Sequence, residues 1–198
     1  IKALHAQYGH IQEIIVQNFR AKPDTKMAQA PEPDLEDLLW TIAVARIIFG
    51  SEMAIQAPPN LSPGVLEKLV DAGINDWGGV SPVTPDHVNP EAPWPEIEAL
   101  ERGTRAADRW LVERLAIVPA FARQPERWLD PGLRTAVLRR IDATGYLREP
   151  EWISGGGTPP LPRYAALLEG AQSAPQREAR PRAARDRLDS ILGRAEAG

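Results

Sequence analysis

The alternation of apolar runs with amphipathic segments between residues 11 and 80 constrains the fold more than any other feature. A nearly continuous apolar run, IQEIIVQNF (11–19), has the character of a buried strand. A shorter run, MAIQA (53–57), and a third around 76–80 follow, each after one helical pattern. Strand–helix alternation at this spacing predicts parallel βαβ units, whose right-handed crossovers lay three strands side by side.

The two intervening helices carry boundary signals. Asp34 is a predicted N-cap, and Gly50 ends the first helix. Ser62 is the predicted N-cap of the second helix, with Pro63 in its first turn and Gly73 at its end. The apolar residues expected to face the core are Leu35, Leu38, Leu39, Ile42 and Phe49 in the first helix and Leu66, Leu69 and Val70 in the second.

The rest of the chain is predicted to be helical and then loosely ordered. A long helical segment is expected from Pro95 to Leu115, with a break near Gly103, followed by helices at about 107–123 and 131–143 and a stop at Gly145. Beyond 149 the composition shifts towards proline, glycine and arginine. We therefore divide the chain into a folded part (1–149), a linker (150–184) and the start of a further helical segment or domain (185–198).

Three strands are too few for a closed barrel, and as an open sheet they leave two edges unpaired. The predicted fold class is therefore α/β. More narrowly, about three βα units plus helices fit the C-terminal part of a (βα)8 TIM-type barrel.

Composition and motifs exclude several classes of function. The net charge is −4, and the longest apolar run (38–49) is interrupted by Arg46, so neither nucleic-acid binding nor a membrane span is expected. The chain has no cysteine, which excludes disulfides and any cysteine-ligated metal centre made by this chain alone. His5 and His10 lack partners at ligand spacing, so no metal site is predicted. No hydrolase triad or phosphate-binding loop is present.

Polar side chains gather where each predicted strand ends, which is where barrel enzymes place their active sites. The candidates are Gln17, Asn18 and Arg20 after the first strand, Gln56 and Asn60 after the second, and Asp76 with the loop 81–89 at the third. Amides donate and accept hydrogen bonds, so this set suits a polar heterocycle or a nucleoside. The Gly78–Gly79 pair allows a ligand or another backbone to approach closely.

Each candidate also has a purely structural interpretation. Gln17 or Asn18 could cap the barrel end, and Arg20 could pair with Asp24 on the surface. Asp76 could brace its loop, and the two glycines could serve packing alone. His87, isolated in a proline-rich loop, is more often structural than catalytic.

Four blocks of the sequence resemble a known family. They are GHIQEIIVQNFRAKPDTKM (9–27), PDLEDLLWTIAVARIIFG (33–50), IQAPPNLSPG (55–64) and AGINDWGGVSPVTPDHVNPEAPWP (72–95). They closely resemble deazaflavin-forming radical S-adenosylmethionine enzymes, namely FO synthases of the ring-closing kind, which make 7,8-didemethyl-8-hydroxy-5-deazariboflavin (FO) for coenzyme F-420. The resemblance extends over about 1–150.

The resemblance implies a radical-SAM barrel with lyase activity. In that family a 4Fe-4S cluster, held by a Cys-x3-Cys-x2-Cys loop, cleaves S-adenosylmethionine to a 5′-deoxyadenosyl radical. The radical acts on a small-molecule substrate of the 5-amino-5-(4-hydroxybenzyl)-6-(ribitylimino)-dihydrouracil type, and ring closure releases ammonia. This chain lacks cysteine, so it lacks the cluster ligands, and as a C-terminal fragment it is expected to be inactive by itself.

Carried over by position, the resemblance assigns binding roles but no catalytic one. Gln17, Asn18 and Arg20 are expected near the nucleoside or substrate, and Gln56 and Asn60 at the barrel mouth. Those expected to face the polar substrate are Asn75, Asp76, Ser81 and His87.

The resemblance also implies a cytoplasmic enzyme that acts with the tyrosine-coupling FO synthase subunit, either fused to it or separate. Residues 150–184 would then join two modules. The alternative is a non-catalytic truncated remnant, or a split-protein module that needs a partner chain. A barrel enzyme that grips phosphate in its last loops is a weaker third reading, because these loops hold amides and prolines.

Overall fold

The computed structural model describes residues 1–81 and 83–148, and every structural statement below concerns those ranges. The elements in the first half are α1 (Lys2–Tyr8), β1 (Glu13–Ile15), α2 (Leu35–Phe49), β2 (Ala54–Gln56), a 3₁₀ turn (Pro59–Leu61) and α3 (Leu66–Ala72). Those in the second half are α4 (Ile97–Ala106), α5 (Pro119–Ala122), α6 (Pro125–Trp128) and α7 (Pro131–Leu138). The predicted linker (150–184) and final segment (185–198) lie outside the described residues.

The sheet is small and parallel. Strand β1 pairs with β2 in parallel, with Glu13 opposite Ala54 and Ile15 opposite Gln56. A single parallel bridge joins Gln56 to Asp76. The parallel order of the three segments agrees with the predicted βαβ alternation, and the mixed helix and strand content is compatible with the α/β class.

Two strand predictions need correction. The expected strand 11–19 is reduced to the three residues of β1, which are not buried: Ile15 is 55% exposed. In the described ranges β1 pairs only with β2, so its second edge has no strand partner there. The expected strand 76–80 is reduced to the bridge at Asp76, because Gly78 has a left-handed backbone (φ 74°) that interrupts an extended ladder.

Helix α2 confirms its predicted boundaries. The Asp34 carboxylate accepts a hydrogen bond from the backbone N–H of Asp37 at 2.9 Å, and Gly50 ends the helix with a positive φ. Helix α3 ends at Gly73 as predicted, but Ser62 as its N-cap is wrong. Ser62 follows the 3₁₀ turn and is buried, and the left-handed Gly64 (φ 77°) delays the helix until Leu66.

The core lies between the sheet and helices α2, α3 and α4. Ile55 of β2, Ile42 of α2 and Leu69 of α3 are completely buried, and Leu100 of α4 is nearly so. The other residues of both predicted helical stripes, together with Ile14 of β1, pack around this cluster. Burying each such side chain contributes about 1.5–3 kcal/mol, so this side of the sheet supplies most of the stability.

The helices after α3 differ from the prediction. Helix α4 runs through Gly103 without a break, because a glycine there lets Leu66 pack close to the helix backbone. No helix occupies 107–118: Asp108 takes a left-handed backbone (φ 57°) just after α4.

Prolines at the first turns of α5 and α6 then start separate short helices in place of the end of the predicted helix 107–123. The predicted helix 131–143 ends earlier, at Leu138. Within the described ranges, no helix combines the length and hydropathy needed to cross a bilayer.

Candidate functional site

The face of the sheet opposite the helices carries charged and amide side chains. Successive residues of a strand point to opposite faces of the sheet. Glu13 and Gln56 therefore lie on one face, and Ile14 and Ile55 lie on the other. Asp76 joins the same row through its bridge to Gln56. Together with Arg114, which reaches this row from the segment after α4, these residues form what we call the polar face: Glu13, Gln56, Asp76 and Arg114.

Arg114 holds the polar face together. Its Nε and Nη2 donate to the two Asp76 carboxylate oxygens at 2.5 and 2.9 Å, and its Nη2 lies 3.5 Å from Glu13 Oε2. The side chains of Arg114 and Asp76 are each only 13% exposed. A two-pronged contact of this kind fixes both orientation and charge, so Asp76 is firmly bound by the protein in this conformation.

Glu13 and Arg114 were not predicted from the sequence. Each nevertheless carried a signal, since Glu13 interrupts the apolar run IQEIIV and Arg114 the run LVERLAIV. A charged residue inside an apolar segment needs a partner when the segment is buried. Here the two residues lie in ion-pair distance across 101 sequence positions.

Gln56 connects the polar face to the backbone at Gly78. Its Nε2 donates to the Glu13 carboxylate, and the residue is only 5% exposed. A Cβ on Gly78 would lie 2.6 Å from Gln56 Oε1 and Gly78 has a φ of 74°, so a side chain here would be strained and would displace the Gln56 amide. The close neighbour of Gly78 is therefore the Gln56 side chain, which fits the packing interpretation of this glycine, and approach by a ligand stays a prediction.

A small cavity of about 160 Å³ opens at the carboxyl end of the two strands. We call it the strand-end pocket, and the lining residues that matter here are Gln17, Gln56, Trp77, Gly78, Gly79 and Trp94. The indole N–H of Trp77 is bonded to Thr104 Oγ1 at 2.9 Å, so the polar edge of this ring is already satisfied. Apart from its two chain neighbours, no atom of the described residues lies within 4 Å of where a Cβ on Gly79 would stand.

A wider cavity of about 1270 Å³ extends along the polar face. Its wall includes Glu13, Asp76 and Arg114 together with apolar and aromatic side chains such as Ile15 and Trp110. It shares Gln56, Trp77 and the glycine pair with the strand-end pocket. The polar face therefore borders open space. The same cavity also reaches residues of the helical side such as Met53, Ile74 and Leu100, although their side chains are buried.

The loops after β1 and β2 are tied to each other. Arg20 donates to the Leu61 carbonyl at 2.9 Å and pairs with Glu32 at 2.8 Å, so its carboxylate partner is Glu32 and the suggested pairing with Asp24 is wrong. The hydrogen bond from Arg20 lowers the pKa of Glu32. Asn18 donates to Ser62 Oγ at 3.4 Å, which makes a second link between the two loops.

The loop after Asp76 is tied to β2 through Asp86. Asn60 donates to Asp86 Oδ2 at 2.8 Å and to the Ala92 carbonyl at 3.1 Å. Asp86 also accepts from the side chain of Asn89 and from the backbone N–H groups of Val88 and Asn89. These hydrogen bonds lower the pKa of Asp86 to about 2, and the bond from the Asn89 side chain has the largest effect.

The structure thus brings most of the nine predicted residues to one end of the sheet. Gln17 and Gln56 line the strand-end pocket, and Asn18, Arg20 and Asn60 hold the loops above the strand ends. The Oδ1 atoms of Asn18 and Asn60 are buried without a hydrogen-bond partner.

The other four predicted residues have different surroundings. Asn75 bonds the backbone of Ile55 and Ser51, at the start of β2. Asp76 belongs to the polar face, Ser81 is half-buried, and His87 is exposed in the loop. Ligand binding by any of the nine predicted residues stays a prediction.

The residues present do not fit an iron–sulfur cluster. The whole chain has no cysteine, and a cluster of this type is held by cysteine thiolates. Among residues 1–81 and 83–148, no group of three or more histidine, aspartate or glutamate side chains could hold a metal ion.

Curated proteins similar to this chain are named as FO synthases or as a deazariboflavin synthase. An FO synthase of Streptomyces coelicolor is 50% identical over 156 residues, which is 78% of this chain and 18% of that protein. A 7,8-didemethyl-8-hydroxy-5-deazariboflavin synthase of Methanopyrus kandleri is 49% identical over 148 residues, 75% of this chain and 43% of that protein. An FO synthase of Streptomyces avermitilis is 41% identical over 200 residues, 100% of this chain and 23% of that protein.

The chain is therefore related to synthases that form a deazariboflavin. More narrowly, it is similar over most of its length to part of FO synthases, in agreement with the resemblance of its four sequence blocks. It spans between 18% and 43% of the length of these relatives. No model of a known protein family matches the chain, and no solved structure matches it.

Proposed function

We propose that this chain is the substrate-binding part of an enzyme that forms FO. The observation that carries the proposal is the 49% identity to the Methanopyrus kandleri protein, whose name specifies synthesis of the deazariboflavin itself. That level of identity extends over 75% of the chain, which includes at least part of the polar face and of the loops around it.

The geometry supports a binding role. Three segments run in parallel, and the loops that follow them are joined by Arg20, Asn60 and Asp86 into one polar rim. In βα barrels this end of the strands holds the substrate. Two buried amide oxygens without partners, on Asn18 and Asn60, are acceptors that a bound ligand or water could satisfy.

The finer proposal is a ring-closing lyase of the radical-SAM type. The 4Fe-4S cluster would be held outside this chain, since the chain supplies no thiolate, and the cluster with S-adenosylmethionine would supply the radical chemistry. The residues of this chain would bind and orient a ribitylated dihydrouracil adduct and exclude water from it. The setting would be the cytoplasm, and the tyrosine-coupling subunit would be the partner.

The relatives also support a two-module organisation. Similar numbers of matched residues make up 18% of the Streptomyces coelicolor protein but 43% of the Methanopyrus kandleri protein, so the former is more than twice as long. The match to the Streptomyces avermitilis protein includes the whole of this chain, with 150–198. In our proposal 150–184 links the barrel module to a second module that begins within 185–198.

A chimeric enzyme tests the proposal. Residues 1–148 would replace the matching segment of the Methanopyrus kandleri synthase, and deazariboflavin formation would be followed by chromatography. We expect product from the chimera and none from the chain alone. A chimera that folds and retains its cluster but gives no product contradicts the proposed function.

A second arrangement tests the alternative of a split-protein module. The chain would be added in trans to a synthase that lacks the same segment. Restored product formation would identify a module that works with a separate partner chain.

A further inference from the structure

We propose that Gln56 makes the strand-end pocket selective for a planar ring that donates an N–H hydrogen bond. The inference rests on the proposed function, because it assumes that this end of the sheet binds a ligand. It goes further in assigning the direction of one hydrogen bond and the residues that set it.

The orientation of the Gln56 amide follows from its neighbours. An ionised carboxylate only accepts hydrogen bonds, so the amide group turned towards Glu13 must be the Nε2 donor. Arg114 Nη2 lies 3.5 Å from Glu13 Oε2 and forms an ion pair with that carboxylate. Glu13 and Arg114 are therefore positioning residues, and Gln56 Oε1 lies on the other side of the amide, beside Gly78.

Gln56 Oε1 is available to a ligand. Within residues 1–81 and 83–148 no donor is hydrogen-bonded to this oxygen, and the atom is not fully buried. Gln56 and Gly78 both line the strand-end pocket, so the free oxygen borders this cavity. The pocket thus offers an acceptor at a fixed place, and an acceptor selects a donor.

The size and walls of the pocket indicate a single ring. Its volume of about 160 Å³ is below the roughly 300–1,000 Å³ of sites for whole drug-sized ligands, so it suits one part of a larger molecule. Trp94 supplies aromatic surface, and the open space at Gly79 leaves the backbone accessible. A planar ring with an N–H edge meets these requirements, either a pyrimidinedione or the amino-bearing edge of a purine.

Methylated probes test the direction of the hydrogen bond. Uracil and 1,3-dimethyluracil form one pair, and adenine and N6,N6-dimethyladenine the other; in each pair, methyl groups replace the hydrogens of two N–H bonds. Binding to the complete 198-residue chain would be measured by calorimetry and by quenching of tryptophan fluorescence. We expect dimethylation to weaken binding on the order of tenfold in one pair, and that pair identifies the source of the ring.

Two variants locate the selectivity. Gln56→Leu removes the acceptor, so the methylated and unmethylated probes should bind within about twofold of each other. Gly79→Val fills the pocket and should abolish binding of both probes while the unfolding midpoint is unchanged, because space is free there. Gln124→Leu makes the same amide-to-alkyl change at an exposed position between α5 and α6 and should leave the selectivity intact.

The positioning role has its own readout. Glu13→Ala retains Gln56 Oε1 but releases its amide, so selectivity should fall while some binding remains.

Equal binding of both members of each pair by the wild type overturns the inference. So does full selectivity in Gln56→Leu, and so does an absence of binding by all four probes. None of these outcomes depends on deazariboflavin formation, which the chimeric synthase measures separately.

Discussion

The two faces of the β1–β2 sheet use neighbouring residues for opposite purposes. On one face Ile14 and Ile55 pack against α2 and α3, where the central side chains are fully buried. On the other face Glu13 and Gln56 meet Asp76 and Arg114 beside an open cavity. Because strand residues alternate between faces, a shift of one position separates the apolar core from the polar face.

The difference between the faces shows where the fold tolerates polar groups. The free energy of folding comes mainly from the apolar face that packs against the helices. The other face can therefore hold charged groups that are bonded mainly to one another. Ion pairs of this kind add little net stability, and their value lies in fixed geometry. Variants that separate these two contributions follow, in order of expected effect.

The largest effect is expected from shortening a buried side chain on the apolar face of the sheet. Ile55→Ala removes a completely buried side chain and should lower the free energy of unfolding by about 3 kcal/mol. Gln56→Leu, one residue along the same strand, should cost about 1 kcal/mol, because it removes one hydrogen bond and keeps the volume. Urea unfolding followed by fluorescence gives both values, and equal losses would contradict the division between the faces.

A smaller loss is expected when the polar face loses its cation. Arg114→Ala leaves Asp76 and Glu13 without their shared partner and should cost about 2 kcal/mol. The control is Arg134→Ala, whose partner Glu126 is 80% exposed, and this change should cost less than about 1 kcal/mol. If the two arginine variants lose the same stability, the polar face is no more than a surface ion pair.

The glycine pair provides a sharper comparison within the polar face. Gly78 has a left-handed backbone and has Gln56 Oε1 against it, so Gly78→Ala should cost about 1–2 kcal/mol. Gly79→Ala enters free space and should change stability by less than about 0.5 kcal/mol. Thermal unfolding of the two single variants distinguishes these roles, and the reverse order would show that the loop backbone is misplaced.

Acid sensitivity of the loop around Asp86 should be the smallest effect. The folded-state pKa of about 2 lies below the ordinary value of 3.8, so the ionised form stabilises the folded protein above about pH 4. This contribution should disappear as the pH falls from about 4 towards about 2. The stability difference between wild type and Asp86→Asn, measured by urea midpoints, should shrink over that interval, and a constant difference would contradict the lowered pKa.

Local signals in the sequence predicted part of this fold. Helix α2 was predicted from Asp34 and Gly50, since a cap and a stop act within one turn of the helix. The start of α3 was not predicted correctly. Ser62 and Pro63 have the sequence of a helix start, but the left-handed backbone of Gly64 prevents the helix from beginning there. Competing local signals of this kind are decided by the conformation of the following residues.

The site was predicted in part for a similar reason. The amides of Gln17 and Gln56 follow predicted strands, so their meeting at one end of the sheet follows from parallel topology. Arg114 approaches them from a segment predicted to be helical, and its pairing with Glu13 depends on how that segment folds back across the sheet. Long-range contacts of this kind have no periodic signature in the sequence.

The most direct test combines stability and activity in one pair of neighbouring residues. Ile55→Ala and Gln56→Leu would each be placed in the chimeric Methanopyrus kandleri synthase, and unfolding midpoint and deazariboflavin formation per folded molecule would be measured together. We predict that Ile55→Ala lowers the midpoint and keeps the activity, whereas Gln56→Leu keeps most of the midpoint and loses activity at least tenfold. If both variants lost unfolding midpoint and activity in parallel, the separation of a stabilising apolar face from a ligand-binding polar face would be contradicted.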